Sequence, residues 1–515
     1  MDNSLSKWPV DDAVGAAWLA HRYGVDPVQP LRALSRIGGS RTTHREGNRW
    51  QYVYEERYRP KGTFKEHLEF MFRREPLNLE FLSRLFREIP PNELAEWVHR
   101  EPTGRYSRRA GYLYECLTGR ELDFEGVTNG PYVEVLDSER FLAASKARTI
   151  TRWHVKDNLP GSRAFCPVVC LTDAVRDALA FDVAGGWSDL ENEFGSELLR
   201  RSAVWMTVKE SRSSFAIEGE GRETDRIQRF AVAMERELGQ HTDVFAVATL
   251  EYLQRSILGE SATAYGVRRS PIFVGETHGN VEIVHFVAPR WDMIRDMLDG
   301  LSECDRLTVG RHPLLRAAVL SFGFIYVHPL TDGNGRISRF LVNDVLRRDG
   351  VLPEPFVLPI STVISGSMKE YDRTLELLSK PLMRRYAGEY RLGQPVRYDD
   401  GFVSTLHFDA YEKAEPVWRY PDLTDHVAYL AGVVRTTMED ELKEEAGQMR
   451  AYRGARDAVN ELIEGPDEDL YRIVRSVHGN AWRVSGKLKS EFPILEDEGL
   501  AERVGEAVKE AFVDG

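Results

Sequence analysis

The pattern of apolar and polar positions predicts a chain made mostly of α-helices. Apolar residues recur every three or four positions through Phe64 to Leu122, Phe245 to Leu258 and Trp291 to Leu301. This spacing places them on one face of a helix, and that face packs against a core. The run from Pro313 to Val327 is apolar almost throughout, which indicates a helix buried on all sides.

The first 75 residues combine helix and strand patterns. Apolar spacing predicts short helices through 14–19 and 31–37, and the alternation of Trp50, Tyr52 and Tyr54 predicts a strand. This order is compatible with a small winged-helix unit that contacts DNA. The favoured interpretation is a helical adaptor with a solvated basic face, and DNA binding stays an alternative. The arginines near these elements are Arg36, Arg41, Arg45, Arg49, Arg57 and Arg59.

The middle of the chain alternates between irregular and helical patterns. Glycines and prolines in 123–174 indicate a connecting arm of short strands and loops. A long helical region is expected from Asp173 to about Glu220, with a break at Gly185-Gly186. Two extended runs around Gly279-Asn280 predict a β-hairpin. The predicted parts are therefore residues 1–122, an arm at 123–174, a core at 175–395 and a mainly helical part at 396–515.

Composition is that of an ordinary globular protein. The chain has 515 residues, 42% apolar and 29% charged, and its net charge of −13 argues against a nucleic-acid footprint along the whole chain. The N-terminus lacks a signal-peptide pattern, and the most apolar run carries Arg316, so a cytoplasmic protein without membrane contact is expected. Free thiols are expected at the four cysteines, which are Cys116, Cys166, Cys170 and Cys304.

One stretch concentrates the chemistry, namely His328-Pro-Leu-Thr-Asp-Gly-Asn-Gly-Arg-Ile-Ser-Arg339. It follows the buried helix and leads into another helical pattern, so a loop before a helix N-terminus is predicted. Backbone N–H groups there favour anionic oxygens, and Arg336 and Arg339 share one helix face that suits a polyphosphate. Asp332 can give one oxygen to Mg²⁺, and a histidine is the side chain most easily made a general base near neutral pH.

A Gly-Asn-Gly sequence alone is usually a turn, and a histidine after an apolar helix is usually a core or capping residue. The coincidence of many specified positions in one loop favours the functional interpretation. The stretch resembles the signature of the Fic family, His-Pro-Phe-x-Asp/Glu-Gly-Asn-Gly-Arg-x-x-Arg. Leu330 stands where phenylalanine is usual, a change in loop packing that leaves the reactive groups in place.

The resemblance implies a Fic fold, mostly α with a small β-hairpin flap, flanked here by helical or α+β terminal domains. It also implies transfer of AMP from ATP to a protein hydroxyl, with Mg²⁺ bound. His328 would deprotonate the hydroxyl, and Asp332 would hold Mg²⁺ on the α- and β-phosphates. The resemblance gives the remaining positions of the motif to nucleotide binding: Gly333, Asn334, Gly335, Arg336 and Arg339.

Two further assignments depend on the resemblance. The flap would hold a target peptide along its edge through Ile272, Phe273 and Val274, although a purely structural hairpin stays an alternative. Tyr371 would lie against adenine, and an ordinary packed tyrosine fits equally well. Glycine at position 335 resembles the family members that transfer AMP, whereas lysine there accompanies kinases.

Ser213-Ser214-Phe-Ala-Ile-Glu218-Gly219 resembles the family's inhibitory motif, Ser/Thr-x-x-x-Glu-Gly/Asn. Glu218 would pair with Arg339 and so displace the γ-phosphate. An ordinary helix end, with Glu218 solvated and Gly219 as the stop, is the alternative interpretation. Upstream placement of the motif, as in Fic proteins whose inhibitory helix precedes the core, favours inhibition by Ser214, Glu218 and Gly219.

We therefore expect a Mg²⁺-dependent protein adenylyltransferase, restrained by Glu218, that acts on a Ser, Thr or Tyr hydroxyl. Alternatives are a Fic enzyme that uses another nucleotide or removes AMP, and a regulatory protein that senses nucleotide or binds DNA. The target protein is left open, and self-modification is compatible with the sequence. Residues 485–493 fit either a helix-turn-helix or a dimerising tail, so a homodimer is also compatible.

Overall fold

The computed structural model describes residues 10–47, 49–259, 265–278 and 281–513. Contacts divide the chain into two compact units. The larger unit consists of Met1–Phe181, Arg222–Gly350 and Ser367–Gly432, and the smaller unit of Asp182–Gly221, Val351–Gly366 and Val433–Gly515. The sequence-based borders at 122, 174 and 395 stay predictions.

Helices dominate both units, which confirms the predicted mostly α fold. The helices are α1 (Ala16–Tyr23), α2 (Phe64–Arg74), α3 (Leu79–Glu88), α4 (Pro91–Arg100), α5 (Arg105–Thr118), α6 (Asp173–Leu179), α7 (Val183–Phe194), α8 (Ser196–Ile217), α9 (Thr224–Glu237), α10 (Val247–Leu258), α11 (Ile294–Thr308), α12 (Pro313–Val327), α13 (Asn334–Arg348), α14 (Ile360–Gly366), α15 (Met368–Arg385), α16 (Tyr411–Arg419), α17 (Thr424–Thr436), α18 (Leu442–Leu462), α19 (Asp467–Gly479), α20 (Gly486–Glu491) and α21 (Glu498–Val513).

Four small sheets interrupt the helices. The strands are β1 (Ala13–Val14), β2 (Ala33–Ile37), β3 (Thr42–Glu46), β4 (Arg49–Tyr54), β5 (Val133–Glu134), β6 (Arg148–Ile150), β7 (Val155–Asp157), β8 (Phe273–His278), β9 (Val281–Val287), β10 (Tyr390–Arg397) and β11 (Val403–Phe408). Their orders are β1-β2-β4-β3, β5-β7-β6, β8-β9 and β10-β11.

The N-terminal part of the larger unit is α+β. The expected strand around Trp50 is confirmed as β4, which pairs with β2 in parallel and with β3 in antiparallel orientation. The helix expected through 31–37 is wrong, because this segment forms β2. Four of the five β2 residues are buried, and β2 pairs with β1 on one side and β4 on the other. These tertiary contacts decide its structure, and apolar spacing over so short a segment does not reveal them. The helix–helix–strand order predicted for a winged-helix unit is therefore absent from the described residues between 10 and 75.

Local sequence explains where several of these helices begin and end. The Asn78 side chain accepts a hydrogen bond of 2.8 Å from the Phe81 N–H at the start of α3. Thr63 caps α2 in the same way, and Gly119 ends α5 in the left-handed conformation with φ 69°. These helices share one core with residues of the segment that carries the short strands β5, β6 and β7. Its role as a connecting arm stays a prediction.

The smaller unit holds α7, α8, α14 and the C-terminal helices. Packing between α8 and α7, α14 and α18 buries one face of α8. The break expected at Gly185-Gly186 is wrong, since α7 runs through both glycines and the chain breaks at 180–182 and at Gly195. The two glycines lie in the first turn of α7, which the Asp182 side chain caps. Burial of Trp187 and Leu190 in the same helix offsets the low helix propensity of the glycines.

Candidate active site

The stretch from His328 to Arg339 joins α12 to α13, as the sequence predicts. His328 ends α12 in the left-handed conformation, with φ 48°, and its N–H donates to the Phe324 carbonyl at 2.9 Å. Its ring Nδ1 lies 3.2 Å from the Ile325 carbonyl oxygen. A proton on Nδ1 that donates to this carbonyl leaves Nε2 as the basic nitrogen of the neutral ring.

A buried arginine fixes the backbone at this histidine. Arg268 is 1% exposed, and its guanidinium donates to the carbonyls of His328 at 2.8 Å, Ser270 at 2.8 Å and Pro289 at 2.7 Å. Burial lowers the pKa of Arg268 to about 10, so the group stays charged at neutral pH. Arg268 is therefore a positioning residue for His328, tying the loop to both ends of the flap hairpin.

The loop is closed by a side-chain amide. Asn334 donates to the Leu330 carbonyl at 2.8 Å and accepts from the Leu330 N–H at 3.0 Å. Leu330 is fully buried, and its backbone also bridges to Val267. The leucine found in place of the usual phenylalanine is thus packed, and Asn334 holds the shape of the turn.

The acidic residue of the loop is held at two points. Arg336 donates to Asp332 Oδ1 at 3.0 Å, and the side chains are 3% and 43% exposed respectively. The buried Gln254 of α10 donates to the Asp332 carbonyl at 2.9 Å and accepts from the Gly266 N–H at 2.7 Å. The loop thereby presents a partly exposed carboxylate beside a buried guanidinium.

The first turn of α13 follows directly. Gly333 precedes the helix with φ 90°, a conformation that favours glycine. Asn334 is buried, Gly335 is partly exposed, and Arg336 and Arg339 are each 2% exposed. The structure therefore brings the predicted glycines and both arginines to one helix N-terminus, where the backbone N–H groups and the helix dipole favour an anion.

A buried polar network holds α11, α12 and α13 together. Asp305 accepts from Arg316 at 2.6 Å and from Arg348 at 2.8 Å, and Arg348 also donates to Asp344 at 2.8 Å. Burial raises the pKa of Asp344, while Arg348 opposes that rise. Ser321 and Ser338 contact each other at 3.0 Å in the same helix interface. These contacts make the two helices that flank the loop a rigid support.

The predicted flap hairpin is confirmed as the antiparallel pair β8-β9, with an irregular register between Val274 and Gly275. The expected turn at Gly279-Asn280 lies outside the described residues. Ile272 is buried, Phe273 is partly buried and Val274 is 41% exposed. Of the three predicted target contacts, Val274 has the most accessible side chain.

The predicted adenine neighbour, Tyr371 of α15, is buried at 7% exposure with its ring centre 6.3 Å from that of Tyr429. The Tyr326 hydroxyl of α12 contacts His426 Nε2 at 2.7 Å, and burial lowers the pKa of His426 to about 3. The adenine contact of Tyr371 stays a prediction.

The predicted inhibitory residues belong to the smaller unit. Ser214 is fully buried in α8, which ends at Ile217, and Glu218 follows as its cap. Gly219 has φ 76°, and its N–H donates to the Ala216 carbonyl at 3.0 Å. The structure confirms that this motif ends a helix, and the pairing of Glu218 with Arg339 stays a prediction.

Arg268 and Gln254 act on the loop but were not predicted from the sequence. Both lie more than 50 positions before the carbonyl that they contact. Arg268 stands next to the exposed Arg269, and no feature of the sequence distinguishes the two.

Among the described residues, no cluster of three or more His, Cys, Asp or Glu could hold a metal ion. The described helices also include none that combines the length and hydropathy needed to cross a membrane.

Residues 244–346, which contain this site, match the Fic/DOC family. The match to this family is confined to that segment. A protein adenylyltransferase fic-1 from Caenorhabditis briggsae is 29% identical over 163 residues, covering 29% of this chain and 30% of that protein. The protein adenylyltransferase fic-1 of Caenorhabditis elegans is 27% identical over 165 residues, with the same two coverages.

The chain spans 30% of the length of these two relatives. A crystal structure of a Fic family protein from Desulfovibrio desulfuricans shares 18% identity and covers 62% of this chain and 93% of its own. Its TM-score is 0.37, a value too low to support an argument about shared architecture.

Proposed function

We propose that this chain is a protein adenylyltransferase, which transfers AMP from ATP to a hydroxyl of a target protein. The observation that carries the proposal is the placement of His328 directly before a helix N-terminus that bears two buried arginines. A base and an anion site separated by one short loop suit the transfer of a phosphate-linked group to a hydroxyl. The names of the two nematode relatives support the same reaction.

In the proposed reaction, His328 Nε2 accepts the proton of a Ser, Thr or Tyr hydroxyl. The hydroxyl oxygen attacks the α-phosphorus of ATP, the bond between the α-phosphorus and its bridging oxygen breaks, and pyrophosphate leaves. Arg336, Arg339 and the backbone of Gly333, Asn334 and Gly335 would hold the phosphates. General base catalysis of this kind contributes roughly 10² to 10⁴ in rate.

The site fits Mg²⁺ bound through one protein oxygen. Asp332 offers a partly exposed carboxylate, and Mg²⁺ usually takes one or two carboxylates and fills its other positions with phosphate and water. Asp332 would exchange part of its contact with Arg336 for the ion. Bound Mg²⁺ would neutralise charge on the phosphates.

The proposal includes restraint by Glu218, a cytoplasmic location and a target segment that lies along β8. A bias of about 2.7 kcal/mol holds 99% of molecules in a blocked state. One carboxylate–guanidinium pair between the exposed Glu218 and the buried Arg339 can supply this much.

The test is labelling with α-³²P-ATP and Mg²⁺ of the wild type, Glu218→Gly and the double variant Glu218→Gly/His328→Ala. A labelled band, on the chain itself or on a lysate protein, should appear with Glu218→Gly and vanish in the double variant. Asp189→Gly, an exposed acidic position of α7, is the matched control and should leave labelling at the wild-type level.

Different labels separate the alternatives. Transfer of γ-label without α-label would show a kinase and would overturn the proposed orientation of ATP. A UMP adduct or loss of an existing AMP adduct on the target, measured by mass, would identify another donor or the reverse reaction. Equal labelling of wild type and Glu218→Gly would overturn the inhibitory role alone.

A further inference from the structure

The N-terminal part of the larger unit contains a cavity of about 200 Å³ that is lined by four arginines. These are Arg73 of α2, Arg105 and Arg109 of α5, and Arg140 of the connecting arm, hereafter the arginine pocket. Asp137 is the one aspartate in its lining. One water takes about 30 Å³ of liquid volume, so the cavity holds an anion of several heavy atoms.

Arg109 is the most buried of the four, at 4% exposure. Within the described part of the chain it makes no hydrogen bond or ion pair, and its buried Nε has no acceptor. The guanidinium lies over the Phe72 ring at 4.7 Å. Burial, and then Arg105, lower the pKa of Arg109 to about 10, so it remains a cation at neutral pH. A buried cation without a hydrogen-bonded partner is costly, and an anion in the cavity would offset that cost.

The neighbouring arginine shows that this cost is avoidable in the same helix. Arg108 is 2% exposed, and its guanidinium donates to the carbonyls of Gly104 at 3.2 Å and Pro131 at 2.6 Å. Two adjacent arginines of α5 therefore differ in their hydrogen-bond partners. Arg108 is bound by the chain, whereas Arg109 points its charge at a cavity.

The other three arginines of the pocket also lack a carboxylate partner among the described residues. Arg73 and Arg105 lie 5.1 Å and 5.8 Å from the centre of the Tyr106 ring. Arg140 donates to the Glu75 backbone carbonyl at 3.1 Å. Among the described residues, no carboxylate lies within ion-pair distance of any of the four guanidinium groups.

The carboxyl group of Glu75, which also lines the pocket, supplies only part of the missing charge. It accepts from the Ala16 N–H at 2.8 Å, on the side of Gly15. Burial raises the pKa of Glu75 to about 7, and arginines are not among the causes that act on it. Near neutral pH the pocket therefore holds four arginine cations against the carboxylate of Asp137 and a partly ionised Glu75.

We propose that the arginine pocket binds the phosphate group of a small phosphate ester, with Arg109 at its base. A phosphate monoester carries close to two negative charges near neutral pH, which suits an excess of cations better than the single charge of a carboxylate. Guanidinium forks match its oxygens, and Tyr106 and Phe72 offer apolar surface to the organic part. This site is separate from the loop of His328 and does not depend on the proposed transferase activity.

The experiment is hydrogen–deuterium exchange of the full chain, read by mass spectrometry, with inorganic phosphate or phenyl phosphate against chloride at equal ionic strength. Both phosphates should protect peptides from 105–118 and 133–141. Phosphate binding at α13 is read separately in peptides from 328–348, which keeps the two sites distinct. Tighter binding of phenyl phosphate than of inorganic phosphate would identify an ester as the ligand, and the reverse order would identify free phosphate.

Arg109→Gln should weaken binding at the arginine pocket about 10-fold to 100-fold and leave protection of 328–348 unchanged. Arg73→Gln/Arg105→Gln changes exposed side chains only, so it tests the pocket independently if Arg109→Gln fails to fold. Arg120→Gln, an exposed arginine beyond the end of α5, is the matched control. Absence of protection in 105–118 and 133–141, or protection that persists in Arg109→Gln, would overturn the proposal.

Discussion

One buried arginine, Arg268, supports the catalytic loop, and another, Arg109, lies at the base of the arginine pocket; the chain gives them different partners. Arg268 and Arg109 are 1% and 4% exposed, and burial lowers the pKa of each to about 10. Arg268 donates to three backbone carbonyls. Arg109 donates to none of the described residues.

This difference distinguishes an arginine that supports the protein backbone from an arginine that is available to bind a ligand. The chain itself satisfies Arg268, so the backbone at His328 is set before any nucleotide arrives. The chain leaves Arg109 unsatisfied, so the arginine pocket is complete only with an anion. Burial and pKa alone do not distinguish the two roles, whereas the hydrogen-bond partners do.

The largest expected effect is at Arg268. Arg268→Met leaves the carbonyls of His328, Ser270 and Pro289 without their donor, so the free energy of unfolding should fall by about 3–5 kcal/mol. Urea denaturation followed by circular dichroism measures this. Arg269→Met, at the exposed neighbour, is the control and should change stability by less than about 0.5 kcal/mol. Equal stability of the two variants would remove the positioning role of Arg268.

The pH dependence of stability tests whether Glu75 compensates the pocket. Its folded pKa of about 7 lies above the ordinary value of 4.5. The folded state therefore holds a proton that the unfolded state has lost, so stability due to Glu75 is fully present below pH 4.5 and is lost as pH rises through about 7. The loss should amount to about 3 kcal/mol.

Urea unfolding of the wild type and Glu75→Gln at about pH 5 and about pH 8 isolates this loss as the difference between the two proteins, because buried histidines such as His426 contribute equally to both. Glu88→Gln, an exposed position, should retain the wild-type slope. If the stability of the wild type relative to Glu75→Gln instead rises with pH, the Glu75 carboxylate pairs with the arginines, and the chain then satisfies Arg109 as it satisfies Arg268.

A smaller effect is expected at Asn334. Asn334→Asp keeps an acceptor for the Leu330 N–H but cannot donate to the Leu330 carbonyl once ionised. Stability should fall by about 2 kcal/mol, and AMP transfer should fall with it because the turn before α13 loosens. Labelling and thermal unfolding measure the two effects. Asn192→Asp, at an exposed position of α7, should change neither.

The smallest effect has the opposite sign. Arg109→Met removes a buried charge without leaving any carbonyl unpaired, so the free energy of unfolding without ligand should rise by about 1 kcal/mol. Arg108→Met removes donors from the carbonyls of Gly104 and Pro131 and should be destabilising. Chemical unfolding of both variants in phosphate-free buffer makes the comparison, and destabilisation of both would mean that the chain satisfies Arg109 as well.

The loop and its flanking helices were predictable because their signals are local. One continuous stretch carries His328 to Arg339, and helical spacing marks α12 and α13 on either side. The hairpin β10-β11 was missed in a region expected to be mainly helical, and its exposed, polar β10 lacks an apolar alternation. Arg268 and Gln254 act through hydrogen bonds to backbone atoms far away in the sequence, so the residues around them give no sign of this role. The strand β2 forms because it pairs with β1 and β4, and the spacing of its own residues does not predict that pairing.

The flap carries a second consequence that concerns solubility. Val274 and Ile283 are 41% and 40% exposed on a two-stranded hairpin whose described strands pair only with each other. Such an edge can recruit another extended chain as readily as a target peptide, which is the usual start of edge-to-edge aggregation. Glu276 and Glu282, also exposed on these strands, place like charges on any approaching copy. The two carboxylates would therefore oppose edge-to-edge pairing of copies while the strand edge stays open to a target segment.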